Sequence, residues 1–289
     1  MTKLLFFIFL WAQVIYGTED LSKTIVSVDG FKKLADFVFE EKDSFDPDQI
    51  FEGAVIFVKT NYLGYFFKKK FPRIKNRFII ISHEGDYPAP RRHKKYLEHE
   101  KLIAWLGQNP TVKNEKKFLP IPIGVAGSNW AHGNMATIKN IQDKETEKLH
   151  LAYLNINTGT YPIERERVYN LFCKEPYCLD TGRCSFEKYL QDMKASRFVF
   201  SPRGNGLDCH RTWEALLMGS IPIVGSSYLD PLLEDLPVLI VKNWEEITEA
   251  FLIKTWREIS ETKYSLDKLY LQYYKDLIDD ILEKEGIVR

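Results

Sequence analysis

The sequence predicts an α/β protein, and three observations carry that prediction. Residues 197–224 read as strand, turn, helix and strand in succession. Residues 149–172 repeat the strand–turn–helix order. In the first half, 54–58 and 78–81 are short apolar runs bounded by polar turns, the pattern of buried strands.

Residues 197–224 hold the densest chemistry. Phe198, Val199 and Phe200 are strand formers. Ser201-Pro202-Arg203-Gly204-Asn205-Gly206 then breaks the pattern, because Pro202 lacks the N–H a ladder needs and glycine tolerates left-handed backbone. Asp208 offers a side-chain acceptor of the N-cap kind. His210 to Met218 suits a helix, with Trp213, Leu216 and Leu217 on its apolar face and Gly219 as its stop. Residues 221–224 form the next buried strand. A glycine-rich turn between a strand and a helix is where α/β proteins bind anions, since free N–H groups and the helix dipole point there. Arg203 lies in that turn, and Arg211 and Glu214 share one helix face. Two guanidiniums grip a diphosphate by bidentate bonds, and a nearby carboxylate accepts from ribose hydroxyls. The same spacing also describes an Arg211–Glu214 pair on a solvated surface.

These residues resemble the signature of exostosin-like glycosyltransferases: Ser-Pro-Arg-Gly at 201–204, His-Arg-Thr-Trp-Glu-Ala-Leu at 210–216, and Gly-Ser-Ile-Pro-Ile-Val at 219–224. The similarity is dense over 196–224 and weaker from about 75 to 250. It implies a GT-B-like architecture, two Rossmann-like domains facing across a cleft, with a nucleotide-sugar donor on the second. It further implies that Arg203 and Arg211 contact the diphosphate and Glu214 the ribose. Gly204, Asn205 and Gly206 fall in the same donor segment. Ser220 stands where such proteins often carry cysteine, a difference that reads as structural.

The chain of 289 residues has room for two modest domains. Hydrophobic residues make up 45% and charged ones 28%, ordinary values for a globular protein. Lys+Arg and Asp+Glu both number 40, and this balance argues against a general nucleic-acid or membrane-surface binder. The four cysteines, Cys173, Cys178, Cys184 and Cys209, are not at zinc-ligand spacings. In an oxidising compartment one or two disulfides are expected among them, with the pairing open.

In chain order, residues 1–17 have one lysine and then an apolar core, the pattern of a secretory signal peptide. An uncleaved signal anchor, with membrane association, is the other reading. Residues 18–147 are read as the acceptor-side domain. A helix is expected over 28–51, a strand over 54–58, and a helix over 61–71 ending in Lys68-Lys69-Lys70 as a solvated end. The strand 78–81 empties into Ser82-His83-Glu84-Gly85-Asp86, polar groups at the rim where a sheet meets its ligand. Transfer with inversion needs a base for the acceptor hydroxyl. Asp86 is the first candidate, with Glu84 and His83 behind it, and a turn with capping side chains is the bland alternative. Prolines interrupt 118–124, placing that strand at an edge. Trp130 is either an exposed sugar platform or a buried anchor.

Residues 148–262 are read as the donor domain. Its first strand, 149–156, exits through Asn157 and Thr158, which are expected to line the donor cleft, and Pro162 opens the next helix. Arg165 adds positive charge between Glu164 and Glu166. Residues 263–289 hold an amphipathic helix, packed either back on the first domain or on the second.

The expected function is transfer of a sugar from a nucleotide-sugar donor to a glycan or glycoprotein acceptor, in the ER or Golgi lumen or outside the cell. No metal centre and no cofactor are expected, the arginines taking the place of a metal ion. The alternative is a secreted, non-catalytic protein that keeps the donor site for binding. A Rossmann-type oxidoreductase fits poorly, since Gly-Asn-Gly at 204–206 follows a late strand.

Overall fold

The computed structural model describes residues 20–42 and 44–288, so the leader expected at 1–17 lies outside the described residues. Two five-stranded parallel sheets, one in each half of the chain, meet across a cleft. The first holds β1 (Phe37–Phe39), β2 (Ala54–Lys59), β3 (Phe78–His83), β4 (Leu102–Gly107) and β5 (Phe118–Pro120) in spatial order β1-β2-β3-β4-β5. Its strands are apolar on both faces, as a covered parallel sheet requires. Val55, Phe57, Ile79 and Ile81 join Phe31 of helix α1 (Val28–Lys33) in one core. Ile56, Val58, Phe78 and Ile80 lie in another, with Phe66, Phe67 and Phe71.

Two expected helices differ here. The helix predicted over 28–51 ends at Lys33, and Phe37-Val38-Phe39 pairs with β2 instead. Three consecutive strand formers beside a free sheet edge outweigh the helical period, and Asp36 Oδ2 fixes the junction by accepting the Val55 N–H at 2.7 Å. Over 60–73 the chain makes only one α turn, α2 (Leu63–Tyr65), among 3₁₀ and π turns. Phe66, Phe67 and Phe71 are all buried, and a widened turn gathers them on a narrower face than a regular helix would. Lys68 and Lys69 are exposed, but Lys70 is buried and donates to the Phe45 carbonyl at 2.8 Å. Helix α3 (Met135–Gln142) follows, capped by Asn134.

The second sheet holds β6 (His150–Leu154), β7 (Cys178–Asp180), β8 (Ser196–Phe200), β9 (Ile221–Gly225) and β10 (Leu239–Val241), in order β10-β9-β8-β6-β7. After β6 the chain winds outward to β7, then returns to place β8 on the other side of β6. Helices α4 (Pro162–Phe172) and α8 (Glu249–Ser260) cover one face through Val168, Phe172 and Leu252. Helices α5 (Phe186–Lys194) and α6 (His210–Leu217) cover the other through Leu190, Met193, Trp213 and Leu216. Helix α7 (Asp230–Leu233) is a short turn after β9.

The face under α5 and α6 shares one continuous core with the first half. Helix α9 (Leu271–Lys284) returns to the first half as well. Its Tyr274 ring lies 5.2 Å from Phe31, and Glu285 just beyond it pairs with Arg77 at 2.7 Å. The first sheet winds in one direction and the second is doubly wound, together an α/β, GT-B-like architecture.

Candidate active site

Ligands of doubly wound sheets bind beyond the strand carboxyl ends where the winding reverses. Here that point lies between β6 and β8, and a cavity of about 470 Å³ opens there. Asn155 and Thr160 come from the exit of β6, Arg183 and Cys184 from the exit of β7, and Gly204, Asn205 and Gly206 from the exit of β8. The bend at Gly206 must come close to the first half: a Cβ there would sit 2.7 Å from the Asn109 side chain.

Three arginines line this cavity, Arg165, Arg183 and Arg211, and Arg203 of the pair the sequence suggests is not among them. Arg211, in the first turn of α6, lines it with Nε and Nη1 buried and without a partner among the described residues. Arg165, in the first turn of α4, is held from behind: Nε donates to the Arg203 carbonyl at 2.8 Å, Nη1 to the Asn157 carbonyl at 3.2 Å, and Nη2 to Cys209 Sγ at 3.4 Å. Arg203 turns the other way, into an adjoining cavity of about 190 Å³. Its guanidinium lies 4.3 Å from the Tyr161 ring centroid and donates to the carbonyls of Gly204 and Asn205. The expected Arg203–Arg211 pair is therefore not brought together in one cavity, because Arg203 is folded back on its own bend. Asn157 and Thr158 likewise do not line the larger cavity. Asn157 Oδ1 caps the Gly159 N–H at 3.0 Å, and the wall positions fall to Asn155 and Thr160.

Glu214 lines the cavity from α6 and accepts the Tyr189 hydroxyl at 2.8 Å. Burial pushes its carboxyl up to about 7, against the opposing pull of Tyr189 and Arg211. The solvated-pair reading fails, since Glu214 is buried and makes no salt bridge among the described residues. Asp208 is not the helix cap: Cys209 occupies that position. Asp208 instead accepts the N–H groups of Cys209 at 2.8 Å and of Ile123 in the other half at 2.7 Å, and Trp213 Nε1 at 2.8 Å. Burial raises its carboxyl to about 6 despite these donors.

A second cavity of about 520 Å³ opens on the first half, and Asp86, Ile123, His132 and His210 belong to the walls of both. Trp130, 65% exposed, and Tyr87, 56% exposed, stand at its rim. Asp86 is exposed and its Oδ2 accepts the Asn205 amide across the cleft at 3.3 Å. His83 and Glu84 are both engaged with other partners. Burial lowers His83 to about 4, and both ring nitrogens are engaged, one with the Pro122 carbonyl at 3.0 Å and one with the Glu84 N–H at 2.8 Å. Burial opposes ionisation of Glu84, but Lys32 at 2.6 Å and Lys59 at 2.7 Å draw it down to about 2. Its strained backbone, φ 60°, is held by that pairing. Gly85 packs so tightly on Thr60 that a Cβ would lie 2.3 Å from the hydroxyl.

Asp46-Pro47-Asp48 has the Asp-x-Asp pattern that holds a divalent ion in metal-dependent transferases, but it opens a 3₁₀ turn outside both cavities. Asp46 pairs with Arg73 at 3.0 Å and Asp48 with Lys75 at 3.2 Å, so these carboxylates are committed to the surface. All four cysteines are free thiols, which corrects the expected disulfides. Sequence reasoning passed over His210 and undervalued Arg165. The signal for Arg165 was its place in the first turn of a helix that follows the β6 exit loop.

The second sheet is doubly wound, with a cationic cavity at its switch point and a second cavity facing it, an arrangement consistent with a GT-B-like two-domain fold. Residues 171–284 match the RXYLT1 C-terminal domain, a family of xylosyltransferase-like glycosyltransferases, and the match includes the whole of 196–224. No curated protein matches the chain. Among solved structures, a glycosyltransferase from Rickettsia africae ESF-5 is similar at 11% identity, with 79% of this chain and 77% of that chain covered and a TM-score of 0.40. A score that low assigns nothing to individual residues. Fold, cavity and family match together support a glycosyltransferase.

Proposed function

We propose that the protein transfers a sugar from a nucleotide-sugar donor to a glycan or glycoprotein acceptor, in the lumen of the secretory pathway and without a metal ion. The observation that carries this reading is Arg211, whose buried Nε and Nη1 lack partners in the wall of the switch-point cavity. A buried guanidinium without acceptors costs several kcal/mol, on the order of ~3, unless a ligand supplies them. The oxygens of a diphosphate are such acceptors, and Arg165 stands in the same wall. Glu214 accepts from ribose hydroxyls, and the side of the cavity near Asn155, Arg183 and Phe186 receives the base. The acceptor enters from the second cavity, where Trp130 and Tyr87 offer rings to sugar C–H faces. Catalysis consists of holding the acceptor hydroxyl against the anomeric carbon and neutralising the departing diphosphate.

The test is a thermal-shift and transfer screen with UDP, GDP and their sugars. UDP-xylose comes first because the matching family is xylosyltransferase-like. A nucleotide diphosphate should raise the melting temperature, and one sugar nucleotide should be consumed when acceptor is added. Stabilisation without turnover across donors and glycan acceptors would make the protein a binding module. No stabilisation by any nucleotide diphosphate would end the reading.

A further inference from the structure

Three side chains with transferable protons or lone pairs, Asp86, His132 and His210, line both cavities, so the proton acceptor for transfer is to be found among them. We propose that His210, and not Asp86, takes the proton from the acceptor hydroxyl; this rests on the glycosyltransferase reading above.

The geometry distinguishes the three. His210 is the first residue of α6, and its Nδ1 lies 2.7 Å from the Gly124 carbonyl oxygen. A carbonyl only accepts, so Nδ1 carries the hydrogen and Nε2 keeps the lone pair. Nε2 has no partner among the described residues. The bond to Gly124 fixes the ring across the cleft, so α6 in one half and the segment after β5 in the other both position the base. Asp86 is exposed, and its Oδ2 is occupied by the Asn205 amide at 3.3 Å. His132 stacks loosely, 5.6 Å from the Trp130 ring and 6.1 Å from that of His210, and has no comparable anchor.

The charges around His210 suit the role. Burial, with His132 beside it, lowers its basicity, so the ring is neutral at rest, while Asp86 opposes that effect and steadies the imidazolium once formed. His83 also faces it from β3, and Asp208 and Arg211 flank it on its own element. The step balances simply. The acceptor oxygen attacks the anomeric carbon as its proton moves to Nε2. The bond from that carbon to the phosphate oxygen breaks, and its electron pair leaves with the diphosphate onto Arg165 and Arg211. Water later removes the proton from the imidazolium.

The experiment compares wild type, His210→Asn, His210→Ala, Asp86→Asn and His132→Gln, using UDP affinity by calorimetry and kcat across pH. Asparagine places an amide N–H where Nδ1 was and so keeps the Gly124 contact while deleting Nε2. Wild-type kcat should show an acid limb below pH 6.5, since protonated His210 is inactive. His210→Asn should lose about 100-fold or more in kcat with UDP affinity within about threefold. Added imidazole should restore part of the activity of His210→Ala. Asp86→Asn should keep the acid limb but move it to lower pH, because the carboxylate that favours the imidazolium is gone. His132→Gln should keep the limb as well. Loss of the limb in Asp86→Asn or His132→Gln, or His210→Asn within tenfold of wild type, overturns the assignment. If both His210 variants fail to fold, the Asp86→Asn limb still decides. Absence of UDP binding by the wild-type protein would instead sink the glycosyltransferase reading itself.

Discussion

Asp208 Oδ2 accepts the backbone N–H of Ile123 at 2.7 Å, so a buried carboxylate at the head of α6 holds a segment of the opposite half. The same side chain takes Cys209 N–H and Trp213 Nε1, fixing the start of the helix that carries His210, Arg211 and Glu214. Removing it strands three donors, the buried Trp213 Nε1 and the half-buried N–H groups of Ile123 and Cys209, at the junction of the two halves. Asp208→Ala should therefore destabilise the protein by about 3 kcal/mol in urea unfolding, the desolvation cost of the donors being partly offset by relief of a buried charge. It should also weaken UDP binding. A loss under about 1 kcal/mol would mean that the halves are held by the shared apolar core alone.

The arginines give predictions of very different size for residues around one bend. Arg211→Ala should reduce kcat/KM by about 100-fold and Arg165→Ala by about 10- to 100-fold, each through lost charge-assisted contacts to the leaving group. Arg203→Ala should stay within about threefold, because its guanidinium faces the adjoining cavity and bonds its own bend. Steady-state kinetics on the three variants separates these. A large loss in Arg203→Ala alone would restore the clasp read from sequence.

How much of this was legible follows from which residues act locally. The strand, turn and helix at 197–224 were readable because apolar runs, Pro202 and Gly219 act through the chain next to them. Direction was not. Arg203 and Arg165 differ in which cavity they face, and that depends on a contact between two βα exits 38 residues apart. His83, Glu84 and Asp86 look alike as rim residues. Only the lysines from α1 and β2 and the Pro122 carbonyl reveal that two of them are committed elsewhere. Strand β1 was hidden for the same reason: its pairing with β2 is decided across the sheet and its sequence neighbours are helical.

Glu214 links stability to pH in a direction that can be worked out. Burial raises its carboxyl from 4.5 to about 7, so the folded protein binds this proton more tightly than the unfolded chain does. The stability it contributes is present below pH 4.5 and is lost as pH rises through 7, a difference of about 3 kcal/mol. Glutamine keeps the shape without the charge. Glu214→Gln should melt like wild type at pH 5 and several degrees higher at pH 8, while binding UDP more weakly. Equal melting differences at both pH values would mean that the carboxylate is solvated and not buried.

Trp130 tests the acceptor side without touching the donor. Its ring is 65% exposed at the rim of the second cavity and lies tilted against His132, with centroids 5.6 Å apart. An exposed indole of this kind contributes little to folding, so Trp130→Ala should change the melting temperature by no more than about 1 °C. If the ring stacks on the incoming sugar, the acceptor KM should rise about tenfold, with kcat at saturating acceptor and UDP affinity unchanged. That split matters because a ring that anchored the loop would move all three quantities together, dragging His132 with it. A drop in kcat with an unchanged acceptor KM would place Trp130 in the transfer step and move the acceptor platform to Tyr87 across the same opening.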